Sequence, residues 1–316
     1  MNDKLQWKYV EMKNYVSAVL QYKVLHRPIR WKHWAGRKCL NGKGCNELIY
    51  NAILSREPFV AARFGGTEMG ALLIAEQNRI ANKIVRPMSF EKLSRFSGVF
   101  GMNESNIQQF VDLYLKDAQL IDLLGVWFTE GEEYLLRKYA AQAKLTKLNH
   151  LEPYYEEQFP WSRALKGKKV LVVHPFADTI ALQYTKREDL WKNKDILPEF
   201  DLITFKAVQT LCGEADTRFS TWFDALDYMI REIKQIDFDI ALIGCGGYGL
   251  PLACAVKEMG KQAIHLGGAV QVLFGIIGKR WEEWDYFREK INDSWVRPSE
   301  SERPKNADNV EGGCYW

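Results

Sequence analysis

The sequence predicts an α/β protein with a doubly wound, mostly parallel sheet. Three observations predict it. Apolar runs of strand length alternate with stretches of helical spacing along most of the chain. The clearest run, Val170–Val173, follows the polar stretch Lys166-Gly167-Lys168-Lys169. The stretch from Asp239 to Trp281 reads as strand, glycine turn, helix, strand, glycine turn, helix.

The chain has 316 residues, 47% hydrophobic and 26% charged, enough to bury a core in one large domain or two small ones. A net charge of +3 is too small for nucleic-acid binding by bulk electrostatics. No apolar run reaches the ~18 residues of a membrane-spanning helix. The N-terminus lacks a signal-peptide apolar core. The six cysteines form no CxxC pair, so reduced thiols and a cytoplasmic setting are expected, without a zinc site. Eleven Trp are many, and serve cores, sugar-stacking sites or membrane-facing surfaces equally well.

The elements follow in order. Residues 1–55 read as a helical and irregular extension, helical from Val10 to Val24. Within it, residues 26–38 (HRPIRWKHWAGRK) mix cations and Trp, which suits anionic headgroups or a polyprenyl-phosphate, or simply a solvated basic loop. The main domain is expected over residues 56–290. Glu57–Phe64 reads as a buried strand, Gly65-Gly66 as its turn, and Thr67 as the cap of a helix from Glu68 to Asn78. Residues 80–104 show no period beyond a loop with a short helix. Ser105–Gln119 is a helix and Ile121–Phe128 a strand; Thr129 and Glu132 match a capping box for a helix to Ala143. Leu148–Tyr155 reads as a strand ending in a loop.

His174 ends the strand of Val170–Val173, and Asp178 or Thr179 caps the helix that starts at Ile180. Leu202–Ala207 is a strand and Thr217–Gln235 an amphipathic helix. Then come the strand Asp239–Ile243, the glycines Gly244, Gly246, Gly247 and Gly249, and a helix from Leu250 to Met259 with Pro251 in its first turn. Gly260 ends that helix, Gln262–Leu266 is the next strand, and Gly267-Gly268 opens another helix. Residues 291–316 read as an extended tail. Right-handed crossovers bring the strand ends near 64, 128, 174, 207, 243 and 266 to one edge, where helix N-termini favour a phosphate.

Gly244, Gly246 and Gly249 satisfy G-x-G-x-x-G, but the dinucleotide fingerprint needs an acid ~20 residues further on. That place holds His265-Leu266-Gly267-Gly268, with no carboxylate. Without GK[ST] there is no P-loop, and without G-x-S-x-G no nucleophile elbow. The surviving reading is a Rossmann-like sheet whose glycine turns approach a phosphate closely. His174 and His265, at strand ends, are candidate bases or phosphate contacts, with Asp178 four residues from His174.

Arg63-Phe64-Gly65-Gly66-Thr67-Glu68 resembles the R-F-G-D-G-E signature of the bacterial GT-D type glycosyltransferases. The ending Ala263-Ile264-His265-Leu266-Gly267 is similar to that family's closing strand and Gly-His-like element. The resemblance spans roughly residues 50–280 and implies a Rossmann-like enzyme that uses a UDP-sugar, with Mn²⁺ or Mg²⁺ held by an Asp-x-Glu pair. Here Gly66 stands in place of that Asp, so only Glu68 remains as a metal ligand. Asp178 or Glu214 could replace the missing carboxylate, or Arg63 and helix N-termini could carry the diphosphate without metal.

The resemblance implies transfer from a UDP-sugar to a glycan or polyprenyl-phosphate-linked acceptor in cell-surface polysaccharide assembly. The setting would be the cytoplasm or the inner face of the membrane. Glu68, Asp178 and His174 are then the catalytic candidates. Arg63, Gly65, Gly66, Thr67, Gly244, Gly246, Gly247, Gly249, His265, Gly267 and Gly268 are the phosphate-binding ones. Trp127, Tyr154 and Trp161 could stack on sugar. The alternatives are a non-catalytic nucleotide-sugar or glycan-binding protein and a hydrolase using His174 and Asp178.

Overall fold

The computed structural model describes residues 2–18, 32–214, 216–310 and 312–316. The basic stretch at 26–31 therefore lies outside the described residues, as do 19–24 of the expected first helix. The described residues form one nine-stranded sheet. Its strands are β1 (His33–Trp34), β2 (Arg37–Leu40), β3 (Phe59–Arg63), β4 (Leu123–Val126), β5 (Lys144–Lys147), β6 (Lys169–His174), β7 (Asp201–Lys206), β8 (Ile240–Ile243) and β9 (Gln262–His265). Their order across the sheet is β1-β2-β5-β4-β3-β9-β8-β6-β7. Every pairing is parallel except β1 with β2. The fold is α/β, Rossmann-like and doubly wound.

Strand alternation builds a core on each face. Successive side chains of a strand point to opposite sides, so a strand buried on both reads as a continuous apolar run. Val60, Ala62, Leu171, Val173, Ala241 and Ile243 pack into one hydrophobic cluster. Ala61, Val170, Val172, Ile240, Leu242 and Ile264 pack into the other. The chain runs outward from β3 through β4 and β5, while β8 and β9 return from β6 to meet β3 at mid-sheet. That reversal opens a crevice at the carboxyl ends of the central strands.

Several expected boundaries move. The extension 1–55 contributes β1, β2 and the helix Gly42–Ser55 to the sheet domain; the helix at its start is Asp3–Ala18. β2 and β5 have four residues each, with sequences RKCL and KLTK, too short and too charged to show a period. The expected helix to Ala143 is only Glu132–Tyr139. Gly131 precedes it at φ +81. Glu132 does not close a capping box there; its carboxylate accepts the N–H groups of Trp127 (3.0 Å) and Phe128 (2.8 Å). Residues 148–155 form two 3-10 turns instead of a strand, Pro153 having no N–H for a ladder.

Thr67 and Asp178 are not caps. Gly65 is the N-cap of the helix Gly66–Ala81, and Phe176 that of Ala177–Tyr184. The latter's free N–H groups at Asp178 (2.8 Å) and Thr179 (3.2 Å) are taken by the buried Glu302 carboxylate. Within the stretch 291–316, Val310, Cys314 and Trp316 are buried in a core cluster of the domain.

Candidate anion-binding cavity

A cavity of about 360 Å³ opens at the carboxyl ends of β3, β9, β8 and β6. It brings together the two distant glycine stretches that the sequence singled out. Arg63, Gly65, Gly66, Thr67 and Glu68 line it from β3. Gly244 and Gly246 line it after β8, and His265, Gly267 and Gly268 after β9. His174 completes the group from β6. Gly247 and Gly249 do not line it. The Gly247 carbonyl accepts the Tyr114 hydroxyl, and a Cβ at Gly249 would come 2.2 Å from His265 Nε2. These glycines let rings pack onto the turn.

Arg63 carries the main charge of the cavity. Its guanidinium stacks 4.6 Å from the centre of the Trp127 ring, and Trp127 Nε1 is fixed by the Phe64 carbonyl at 2.9 Å. Among the described residues the Arg63 side chain forms no ion pair and no hydrogen bond. Burial lowers its pKa, while Tyr315, Glu152 and Glu68 oppose that shift. Such a cation is a poor structural device and a good receptor for a bound anion. Arg280 also lines the cavity; it donates to the Tyr315 hydroxyl at 3.1 Å.

Glu68 is 5% exposed, with its carboxylate folded back on the turn: a Cβ at Gly65 would come 1.9 Å from Oε2. Burial raises its pKa; its own N–H, Ser97 and Arg63 act in the other direction. Glu152, which sequence reasoning missed, presents a second carboxylate to the cavity. Burial pushes it up to about 7, against the Tyr154 hydroxyl bond and the charge of Arg63. It stands in LNHLEPYY, where nothing but its own charge could have marked it. Tyr315 and Trp316 form another unforeseen wall. The only sequence signal for them was an aromatic pair in an otherwise polar tail.

His174 is buried and its pKa falls to about 3 through desolvation, so the ring is neutral. Nδ1 accepts the Phe176 N–H at 3.0 Å, which leaves the proton on Nε2. The neutral ring can therefore only donate, through Nε2–H; it is not arranged as a base. His265 is also buried, with its pKa lowered to about 3 by burial first and then by Arg63. Asp178 does not reach the cavity. It pairs with Lys206 at 2.7 Å on the surface, so the His174–Asp178 pair is not formed. Of the proposed sugar-stacking rings, Trp127 lines the cavity and is 39% exposed, whereas Tyr154 and Trp161 are buried in the core.

The donor set does not fit a hard divalent cation. Among the described residues no group of three or more His, Cys, Asp or Glu could hold a metal ion. Glu68 and Glu152 are the acids in the lining, and neither Asp178 nor Glu214 is among it. Gly66 offers room for the missing carboxylate, because a Cβ there meets nothing within 4 Å. Gly66→Asp should therefore fold normally, with a small gain of ~0.3–1 kcal/mol from an acid in the first helical turn. Differential scanning fluorimetry with Mn²⁺ should show a larger upward shift for this variant than for the parent. A loss of stability would contradict the open geometry.

Fold and site together define a Rossmann-like α/β protein with a candidate anion-binding cavity at the carboxyl edge of its sheet. No family model matches the chain, and no curated protein matches it. Two solved structures of a domain of unknown function, DUF1792, do match. One is 11% identical, with 85% of this chain and 93% of that one covered, at a TM-score of 0.45. The other, described as having a distinct glycosyltransferase fold, is 12% identical over 92% of this chain and 96% of that one, again at 0.45. Likeness at this level assigns neither family nor activity, so function rests on the cavity.

Proposed function

We propose that the chain is a glycosyltransferase that takes a nucleotide-sugar, of the UDP-sugar type, as donor. The observation that carries this reading is Arg63, a desolvated cation with no ion-pair or hydrogen-bond partner among the described residues, facing three backbone turns at Gly65-Gly66, Gly244–Gly246 and Gly267-Gly268. A diphosphate lies across these turns, and the exposed face of Trp127 receives a sugar or base. The acceptor is a glycan or polyprenyl-phosphate-linked sugar, which places the work at the inner face of a membrane. Mn²⁺ or Mg²⁺ has no assigned place in this reading.

In the transfer step the acceptor oxygen bonds to the anomeric carbon as the bond from that carbon to the diphosphate oxygen breaks. The electron pair leaves on the diphosphate, where Arg63, backbone N–H groups and His174 Nε2–H stabilise it. The acceptor proton passes to Glu152, whose pKa of about 7 suits a base. Glu68 orders the turn beneath the donor.

UDP release from a panel of UDP-sugars, alone and with acceptors, tests this. Failure of UDP and every UDP-sugar to raise the melting temperature would end the reading. Turnover should rise with pH through about 7, since a base acts deprotonated. Glu152→Gln should lower it by ~10²–10⁴-fold and flatten that limb. An unchanged profile would remove Glu152, and the same measurement on Glu68→Ala would show whether Glu68 takes its place. Gly66 favours a second reading, binding without transfer. Saturable UDP-sugar binding with no UDP release under any acceptor or metal would select it.

A further inference from the structure

We propose that the helix Asp3–Ala18 is a membrane-docking element whose outer face inserts into an anionic lipid surface. The helix is apolar on two sides. Its inner side is committed to the domain: Val10 is buried, and Trp7 packs on Tyr134 with ring centres 4.8 Å apart. Asp3 bridges Arg79 (2.5 Å) and Lys138 (3.0 Å), and Lys13 pairs with Glu133 at 2.8 Å. Those anchors fix which side faces outward.

The outward side carries Leu5, Tyr9, Met12 and Val16, exposed by 60, 50, 63 and 55%. At 3.6 residues per turn these four fall within roughly 60° of one another. They form a continuous apolar stripe along the helix. Exposed large apolar side chains are ordinary when scattered, but a stripe on one face marks an interaction surface.

Charge selects the occupant. Lys4 and Lys8 are exposed beside the stripe and have no ion-pair partner among the described residues. By sequence, residues 1–38 hold nine Lys and Arg against two acids, while the remaining 278 hold 34 against 38. A mildly acidic body thus carries a strongly basic end, the asymmetry that an anionic leaflet attracts and that keeps the body off it. A second copy is a poorer fit. The 4-3-4 spacing covers only about two heptads, short of the three to four that sustain a coiled coil. Like-charged ends would also repel.

A flat interfacial helix explains an aromatic and a thioether in the stripe, which suit the headgroup boundary. It also fits a transferase with a lipid-linked acceptor, although the stripe and its charges are independent of that activity.

The test is co-sedimentation of the full chain with vesicles of phosphatidylcholine alone and with phosphatidylglycerol added. The expected result is binding to the anionic vesicles only, weakened by salt. Leu5→Glu/Met12→Glu should reduce it at least about tenfold while leaving the melting temperature unchanged, because both side chains point to solvent. Lys4→Gln/Lys8→Gln should weaken it less and blunt its salt dependence. The proposal is overturned if anionic vesicles bind no protein, or if the apolar double variant binds as the parent does. It is equally overturned if sedimentation velocity shows a dimer that this variant dissolves, which would give the face to a second copy. Because no readout uses sugar transfer, failure of the glycosyltransferase reading and of this one are separable.

Discussion

Arg63→Met should abolish stabilisation by UDP or a UDP-sugar while leaving the unliganded protein at least as stable as the parent. The two halves of this result come from one arrangement. In the folded chain Arg63 loses water, and its pKa falls for that reason, yet no described carboxylate is bonded to it. Such a charge costs folding free energy until an anion arrives. Methionine keeps the stem and the contact with Trp127 but removes the charge. Losing a largely desolvated charge contact typically costs 2–5 kcal/mol of binding, or about 30-fold to several thousandfold in affinity. Thermal-shift titration gives both numbers at once. A destabilised variant that still binds UDP would show that Arg63 is structural. Arg63→Lys should recover part of the affinity, since an ammonium supplies charge without the planar fork.

Gly244→Ala should lower stability by about 3 kcal/mol and remove ligand binding with it. A Cβ at this position would lie 2.3 Å from the Gly267 carbonyl oxygen, 2.9 Å from His174 Cδ2 and 3.0 Å from Val270 Cγ2. The first of these is backbone and cannot swing aside. The turns after β8 and β9 are pressed together at this point, so one methyl group must part them. Gly267 is itself held at φ +61, which limits how that turn can adjust. Gly70→Ala provides the contrast. Gly70 lies inside the helix Gly66–Ala81 with nothing within 4 Å of a Cβ, so alanine should add ~0.5–1 kcal/mol. Chemical denaturation of the two variants should therefore move in opposite directions. Equal, small effects would mean that the turns are looser than their contacts.

The central strands were legible because burial on both faces writes them as apolar runs. β3, β6, β8 and β9 are such strands, and they carry the cavity. β2 and β5 lie toward the edge, where four-residue strands with charged ends leave too little pattern to read. The glycine turns were legible for a different reason: close backbone approach demands glycine whatever the ligand. What escaped were residues whose role depends on distant partners. Glu152 becomes a candidate base only through its burial. His174 reads in sequence as a base or a phosphate contact, and the backbone N–H at Phe176, by fixing its tautomer as a donor, favours the second. Glu302 gave no sign that it would cap a helix begun 125 residues earlier at Ala177.

That cap sets an order of events during synthesis. Every strand of the sheet has left the ribosome once residue 265 is free, and the core cluster that ends at Ala263 can then close, while the other still awaits Phe274, Trp295 and Trp316. The wall formed by Val310, Tyr315 and Trp316 does not yet exist. Until Glu302 arrives, the N–H groups of Asp178 and Thr179 stay open to solvent. A nascent chain can thus hold its whole sheet while its cavity still lacks a side. One side of the cavity and part of one core cluster are supplied by residues made after every strand of the sheet.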